Sequence, residues 1–411
     1  MLRSILTIGW CYGEKFDSAL GTRQVADTIK KLTIEGFKSI RKLEDFELRA
    51  LNVLIGANGA GKSNFVSFFR LLREMVEGRL QVALATTEGG ADACLYMGPK
   101  VTSQFVAKLC LGQYGYEFSL VPTTDNRLIF AEEIVVYYGR VPPWRSHWGS
   151  GHPEAKLTEW KNFIEDWRKA QDVAPYVCTA ISSWVVYHFH DTSLTASVRR
   201  PRAINDNVSL RPSAENLAPL LYRIQQTDPT SYSRIRDVVR LGAPFFDDFK
   251  LRPMPATPDM IQLEWQQRDS DYPFRANQLS DGTLRFICLA TALLQPQRPP
   301  TVIFDEPELG LHPYALTLLG NLFKQAAEID GRQVIVSTQS ALLLNEFEPE
   351  DVIVVERTNG ESTFRRLGSS DLSEWVDEYA LGELWQKNVL GGTPRSDRTG
   401  RPVSSGGDNR S

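Results

Sequence analysis

Gly56-Ala57-Asn58-Gly59-Ala60-Gly61-Lys62-Ser63 fits the pattern GxxxxGK[ST] in full, and Asn64 follows it. An apolar run at 51–55 precedes the stretch and an amphipathic run at 65–75 follows it. That order predicts a buried strand, a tight loop and a helix. Glycines at 56, 59 and 61 let backbone N–H groups close around an anion, and the helix start adds partial positive charge there. Lys62 would then reach the outer phosphates, and Ser63 Oγ would ligate Mg²⁺. The pattern implies a bound nucleoside triphosphate.

A second stretch lies more than two hundred residues downstream. Residues 301–304 (TVIF) read as a buried strand ending in Asp305-Glu306, and LSDGT stands before them at 279–283. A carboxylate at the carboxyl end of a parallel strand beside the phosphate loop is placed to hold the metal. Asp305 takes that role here. The next carboxylate, Glu306, can orient and deprotonate an attacking water.

Together, GANGAGKSN, LSDGT and DEPELGLHP resemble the ABC-type ATPase heads of the SMC, RecF and OLD group. YHFHDTS (187–193), FDDF (246–249), LSDGTLRF (279–286) and LGELW (381–385) are similar to marks of its RecF-like branch. The resemblance covers about residues 31–390. It implies an α/β fold: a P-loop ATPase head with a mixed β-subdomain and an inserted compact helical lobe. It implies ATP and Mg²⁺ as cofactors, held by residues 56–64 with Ser63 and Asp305 at the metal. It also implies a homodimer that sandwiches ATP, Ser280 and Gly282 of one protomer meeting the γ-phosphate bound to the other. Residues 309–312 match the loop that crosses between protomers. Lys38 and Ser39 match residues that approach the nucleotide, a solvated strand-end lysine being the alternative. Gln104 is a candidate for a Mg²⁺-sensing glutamine, a surface glutamine being the simpler reading. Gln339 stands where many such heads carry a switch histidine. It can donate and accept hydrogen bonds but does not titrate near neutral pH. Asp281 stands where transporter heads have glycine.

Composition limits the remaining choices. Forty-six basic against fifty acidic residues give a net charge of −4, so nucleic-acid binding would need a local patch. Arg199, Arg200 and Arg202, with Arg211 nearby, form the densest basic cluster. It reads equally as a duplex-DNA contact or as a solvated loop. The five cysteines show no CxxC pair, which suits a reducing, cytoplasmic setting. No apolar stretch approaches the ~18–20 residues that cross a bilayer.

Along the chain, residues 1–30 read as an N-terminal extension and 31–140 as the first ATPase lobe. Residues 141–255 read as the inserted helical lobe, 256–390 as the second ATPase lobe and 391–411 as a polar tail. Hairpin strands are expected at 31–39 and 43–48, and a meander at 103–111, 114–121 and 127–138. Helices are expected at 154–170, 213–226 (Ser213 as N-cap), 231–241 and 371–385. No heptad pattern persists through the insertion, unlike the long coiled coil of SMC proteins. His188, His190 and Asp191 could form a metal site, but no third ligand is evident and a turn after a strand is the preferred reading. Trp385 and Gly391-Gly392 either pack on the core or dock a partner. Too few residues follow the acidic block for the Toprim nuclease of OLD proteins, so ATP hydrolysis without DNA cleavage is expected. Two roles stay open: DNA repair and maintenance of RecF type, or an ATP-gated scaffold for a separate effector in antiviral defence.

Overall fold

The computed structural model describes residues 28–162, 173–368 and 379–392. β1 (Ile29–Phe37) and β2 (Ile40–Glu47) form a hairpin in which Phe37 faces Ile40. The chain then enters a different sheet through β3 (Leu51–Ile55), all five residues of which are buried. The loop at 56–61 follows, and α1 (Lys62–Val76) starts directly from Gly61. β4 (Phe105–Leu111), β5 (Tyr114–Pro122), β6 (Leu128–Tyr137) and β7 (Trp144–His147) return to the hairpin and complete an antiparallel sheet, ordered β2-β1-β4-β5-β6-β7.

The second six-stranded sheet is parallel except at one edge. It is built from β3, β8 (Val185–Tyr187), β15 (Thr301–Asp305), β16 (Gln333–Ser337), β17 (Val352–Thr358) and β18 (Glu361–Arg366), in the order β18-β17-β3-β16-β15-β8. Its inner strands β3, β16 and β15 are buried almost throughout, as a sheet covered on both sides requires, while the edge strand β18 is polar. Leu54, Ile303, Ile335 and Ile353 face α1 and share a core with Phe65, Phe68 and Phe69. Each fully buried phenylalanine there contributes roughly 2 kcal/mol. The alternate residues Val53, Val302, Phe304, Val334 and Val336 face the opposite core.

That opposite core is helical. α2 (Val173–Ser183) packs beside α1, while α3 (Leu217–Thr227), α4 (Pro229–Gly242), α5 (Asp281–Leu294) and α6 (Pro313–Lys324) cover the far face. Two small antiparallel sheets are built from the chain between α4 and α5, with one strand added from before α3. One runs β10 (Phe246–Lys250)-β13 (Glu264–Gln267)-β14 (Pro273–Arg275), the other β11 (Pro253–Met254)-β12 (Thr257–Ile261)-β9 (Arg202–Ala203). The architecture is that of an ABC-type P-loop ATPase head: a nucleotide-loop sheet, an antiparallel β-subdomain and a compact helical insertion.

Several boundaries differ from those the sequence suggests. The interval 141–255 is not helical throughout, because β7 extends the antiparallel sheet and β8 the parallel one. Its compact helical part is the α3–α4 pair. α3 begins at Leu217, not 213; Ser213 bonds Glu215 instead. Asn216 stands at the cap position but spends its side chain on Arg211 N, Asp206 O and Ser209 O. α4 is capped by Asp228, whose carboxylate accepts from Ser231 N at 3.0 Å. The stretch expected as a helix at 154–170 opens as a 3₁₀ helix, Lys156–Asn162. Phe163, Ile164 and Trp167, the first part of the helix expected at 371–385, the extension before residue 28 and the tail after 392 lie outside the described residues.

Candidate nucleotide site

β16 lies between the loop strand and the acidic strand, with Leu54, Ser337 and Asp305 in register across the three strands. The segment after β16 therefore emerges between the loop and the acidic pair. Gln339 sits in that segment. Its Nε2 donates to Glu306 Oε1, and its backbone N–H donates to Glu308 Oε1 at 2.7 Å. Asn58, Glu306, Glu308, Leu309, Gln339 and Ser340 line one cleft of about 450 Å³.

The loop itself is shaped by close backbone approaches. A Cβ on Gly61 would collide with Ser362 and meet Ser39 Oγ, and one on Gly56 would strike Val355 O. Lys62 is buried, and its ammonium donates to Gly56 O at 2.6 Å and Ala57 O at 3.1 Å. Burial lowers its pKa, and the negative field of Glu306, Glu308 and Asp305 opposes that shift. Ala60 is buried, Gly59 and Asn58 are exposed at the tip, and Ser63 is exposed at the start of α1. Asn64 Nδ2 donates to Ser39 Oγ at 2.6 Å, and Ser39 Oγ accepts from Ser362 Oγ at 2.7 Å. Lys38 lies in the left-handed turn between β1 and β2, bonded to Ser67 Oγ at 3.0 Å and paired with Glu88 at 2.5 Å.

The acidic end holds unpartnered oxygen. Asp305 Oδ1 and Ser337 Oγ, in register on adjacent strands, are buried with no hydrogen-bond partner, and Glu308 Oε2 is in the same state. Orphaned buried oxygens of this kind fit a hard divalent cation or its water shell. Arg70 Nη2 lies 3.6 Å from Asp305 Oδ2. Glu306 adopts φ 46°, a strained backbone for a residue with a side chain, and its N–H donates to Ser337 O at 2.8 Å. Burial raises the Glu308 pKa, which the bond from Gln339 N partly offsets.

One group escaped the sequence reading, and another, His188, figures in it only with His190 and Asp191. Glu308 belongs to the acidic block but had no assigned role. His188 follows Tyr187, the register partner of Phe304, and so stands next to Asp305 on the neighbouring strand. Its Nδ1 is buried without a partner, and burial, reinforced by Arg70, lowers its pKa. The sequence singles it out through its spacing with His190 and Asp191, for which a turn after a strand is the preferred reading. His190 and Asp191 are exposed, and Asp191 is bonded to Ser193. Gln104 is exposed just before β4, on the antiparallel sheet.

The remaining candidates lie elsewhere. Ser280 is exposed and caps α5, accepting from Thr283 N at 3.2 Å, and Gly282 packs against Gly310. Neither is among the residues lining the 450 Å³ cleft. Arg199, expected at a DNA surface, is buried at 3% exposure. Its guanidinium bonds Thr192 O at 2.9 Å, Ala276 O, Leu279 O at 3.2 Å and Asp281 Oδ1 at 2.7 Å, so it cannot reach a phosphate. The sequence misled because arginine density was read as exposure. Arg202 lies on β9 with Nε buried, and Arg200 alone of the three is exposed.

A family model described as "AAA domain, putative AbiEii toxin, Type IV TA system" matches residues 151–345, a span that holds the LSDGT and acidic blocks but not the loop at 56–63. Among solved structures, the chain is similar to an Smc head bound to the C-terminal winged-helix domain of ScpA. That match has 15% identity and a TM-score of 0.50, and covers 83% of this chain and 97% of that one. An Smc head from Pyrococcus furiosus, solved with an extended coiled coil and the ScpA C-terminal domain, matches at 16% identity and TM-score 0.49, covering 85% and 98%. No curated protein matches by sequence. At such identity the likeness speaks for the fold. Fold, phosphate loop and acidic strand together define an ATPase of the ABC P-loop class. Among the described residues no helix is long and apolar enough to cross a membrane.

Proposed function

We propose that two copies of this chain close around Mg·ATP, hydrolyse it, and use engagement and release as a switch. The observation that carries this reading is the split site. Asn58, Glu306, Glu308 and Gln339 meet in one cleft, while Ser280 stands exposed at the start of another helix. A second copy would bring Ser280 and Gly282 to the γ-phosphate. The backbone of residues 56–64 and Lys62 bind the phosphates, Lys62 exchanging its loop carbonyls for phosphate oxygens. Ser63 and Asp305 would hold Mg²⁺, which neutralises charge on the phosphates when bound. Glu306 takes the proton of the attacking water, and Gln339 holds that carboxylate in place. Lys38 and Ser39 lie along the flank of α1, where the rest of the nucleotide would run.

Glu306→Gln tests the model. It should bind ATP as the parent does, abolish turnover and accumulate a dimer in Mg·ATP by light scattering. A monomer under saturating Mg·ATP would sink the two-protomer reading.

The switch acts on a separate effector protein, in a defence setting. Support comes from the buried Arg199, which removes the centre of the basic cluster, and from the toxin-system description of the matching family. The similar Smc head also binds a protein domain. RecF-type DNA maintenance is the second reading, favoured by the exposed Arg200. ATP turnover with and without linear duplex at two salt concentrations separates them. Stimulation that fades with salt favours DNA, and no response favours a protein partner.

A further inference from the structure

Residues 381–392 belong to none of the nucleotide-binding motifs, yet their end lies against the nucleotide loop. α7 (Leu381–Gln386) buries Leu381 and Leu384, and Leu390 follows into the same core. Gly382 N donates to Asn345 Oδ1 at 2.7 Å, and a Cβ at 382 would strike Ala341 O. This end is thereby seated on the short helix Ala341–Leu344, which begins two residues after Gln339.

The other end reaches the loop. Arg365 Nη2 donates to Leu390 O at 2.9 Å, and Gly392 N donates to Glu356 Oε1 at 3.0 Å. A Cβ on Gly392 would lie 3.1 Å from Val354 Cγ1, 3.3 Å from Gly56 Cα and 3.5 Å from Trp385 Nε1. Gly56 in turn supplies the carbonyl that holds the Lys62 ammonium at 2.6 Å. Trp385 and the glycine pair thus pack inward rather than offering a docking face.

We propose that residues 381–392 are a positioning strap for the phosphate loop. Gly392 bears on Gly56 and so sets the carbonyl that seats Lys62, while Gly382 fastens the strap to the segment following Gln339. Loop and switch segment are thereby braced by one piece of chain. The inference rests on reading residues 56–63 as the phosphate site.

Two neighbouring substitutions in the full chain isolate the contact. Gly391 (φ +83°) and Gly392 (φ +76°) are both left-handed, so alanine strains the backbone at either. At 391 the new methyl meets the Glu356 carboxylate, the acceptor of Gly392 N, and no atom of the loop; at 392 it presses on Gly56. Gly392→Ala should weaken binding of a fluorescent ATP analogue about tenfold, raising KM with kcat within about twofold. Gly391→Ala should keep affinity within about twofold while lowering the nucleotide-free melting midpoint as much as Gly392→Ala does. Parent-like affinity in Gly392→Ala, or equal weakening in Gly391→Ala, overturns the strap. Lys62→Ala tests the underlying reading separately: if it binds ATP like the parent, the phosphate site is wrong whatever the glycine variants do.

Discussion

Arg199→Ala should unfold the protein more easily and do nothing specific to DNA binding. The arginine side chain is 2% exposed, and its bonds converge on the chain before α5. Truncation takes the Arg199 donor from the carbonyls of Thr192 and Leu279, while Ala276 O keeps the Leu279 N–H at 3.1 Å. Each carbonyl left dry costs about 1–3 kcal/mol. The Asp281 pair adds little because that carboxylate is 62% exposed. With partial hydration of the vacated space, the total is about 3–5 kcal/mol. With a urea m-value of roughly 3 kcal/mol/M for a large chain, the midpoint should fall by about 1–1.7 M. Circular dichroism across a urea series measures it, and fluorescence anisotropy on labelled duplex runs in parallel. Arg200→Ala, at the exposed neighbour, should stay within about 0.5 kcal/mol of the parent. An Arg199→Ala protein with the parent midpoint but lost duplex affinity would refute the reasoning.

Gln339→Ala should slow phosphate release at saturating ATP on the order of 10²-fold, because Glu306 loses its donor, while equilibrium ATP affinity stays within about threefold. Equal turnover would remove Gln339 from the mechanism. Asp228→Ala should destabilise by about 1 kcal/mol through loss of the α4 cap. The bonds from Ser231 hold the Asp228 pKa below its ordinary 3.8, so this contribution is complete above pH 3.8 and fades as pH falls through the lower folded value. Comparing parent and variant urea midpoints at pH 7 and pH 3 reads that difference. Burial pushes the Cys94 and Cys288 thiols up to about 12, leaving a thiolate fraction on the order of 10⁻⁴ at pH 8. Peptide mapping after iodoacetamide should find both unmodified until denaturant is added.

Local chemistry made the loop, its flanking strand and helix, and the ends of β15 and β16 legible, because glycine spacing and short apolar runs act within a few residues. What stayed illegible depends on partners distant in sequence. Nothing in residues 301–306 says that β16 will separate them from the loop, since parallel order is set by crossovers elsewhere. Glu308 gained significance only when Gln339 N arrived 31 residues later to bond it. Ser213 has the chemistry of a cap, but Asn216 ties down the preceding loop and delays the helix. The glycines at 391–392 resemble a flexible tail until Gly56 is brought against them.

The aspartate at 281 shows how a motif position and a misread cluster explain one another. Arg199 is a cation buried beneath the start of α5, and its Nη2 needs an anion that the surrounding carbonyls do not supply. Glycine at 281 would leave that end of the guanidinium facing only carbonyl dipoles. Asp281 provides the charge from the first turn of α5, where a carboxylate is also favoured by the helix dipole. Arg285, one turn along, donates to Phe189 O at 2.7 Å, to His190 O at 3.1 Å and to Leu309 O. The two arginines therefore tie the exposed Ser280 both to the chain that leaves β8 beside Asp305 and to the loop after Glu308. The same tie makes Arg199 part of the frame that holds Ser280, which is why its loss should be felt in stability before it is felt in any ligand.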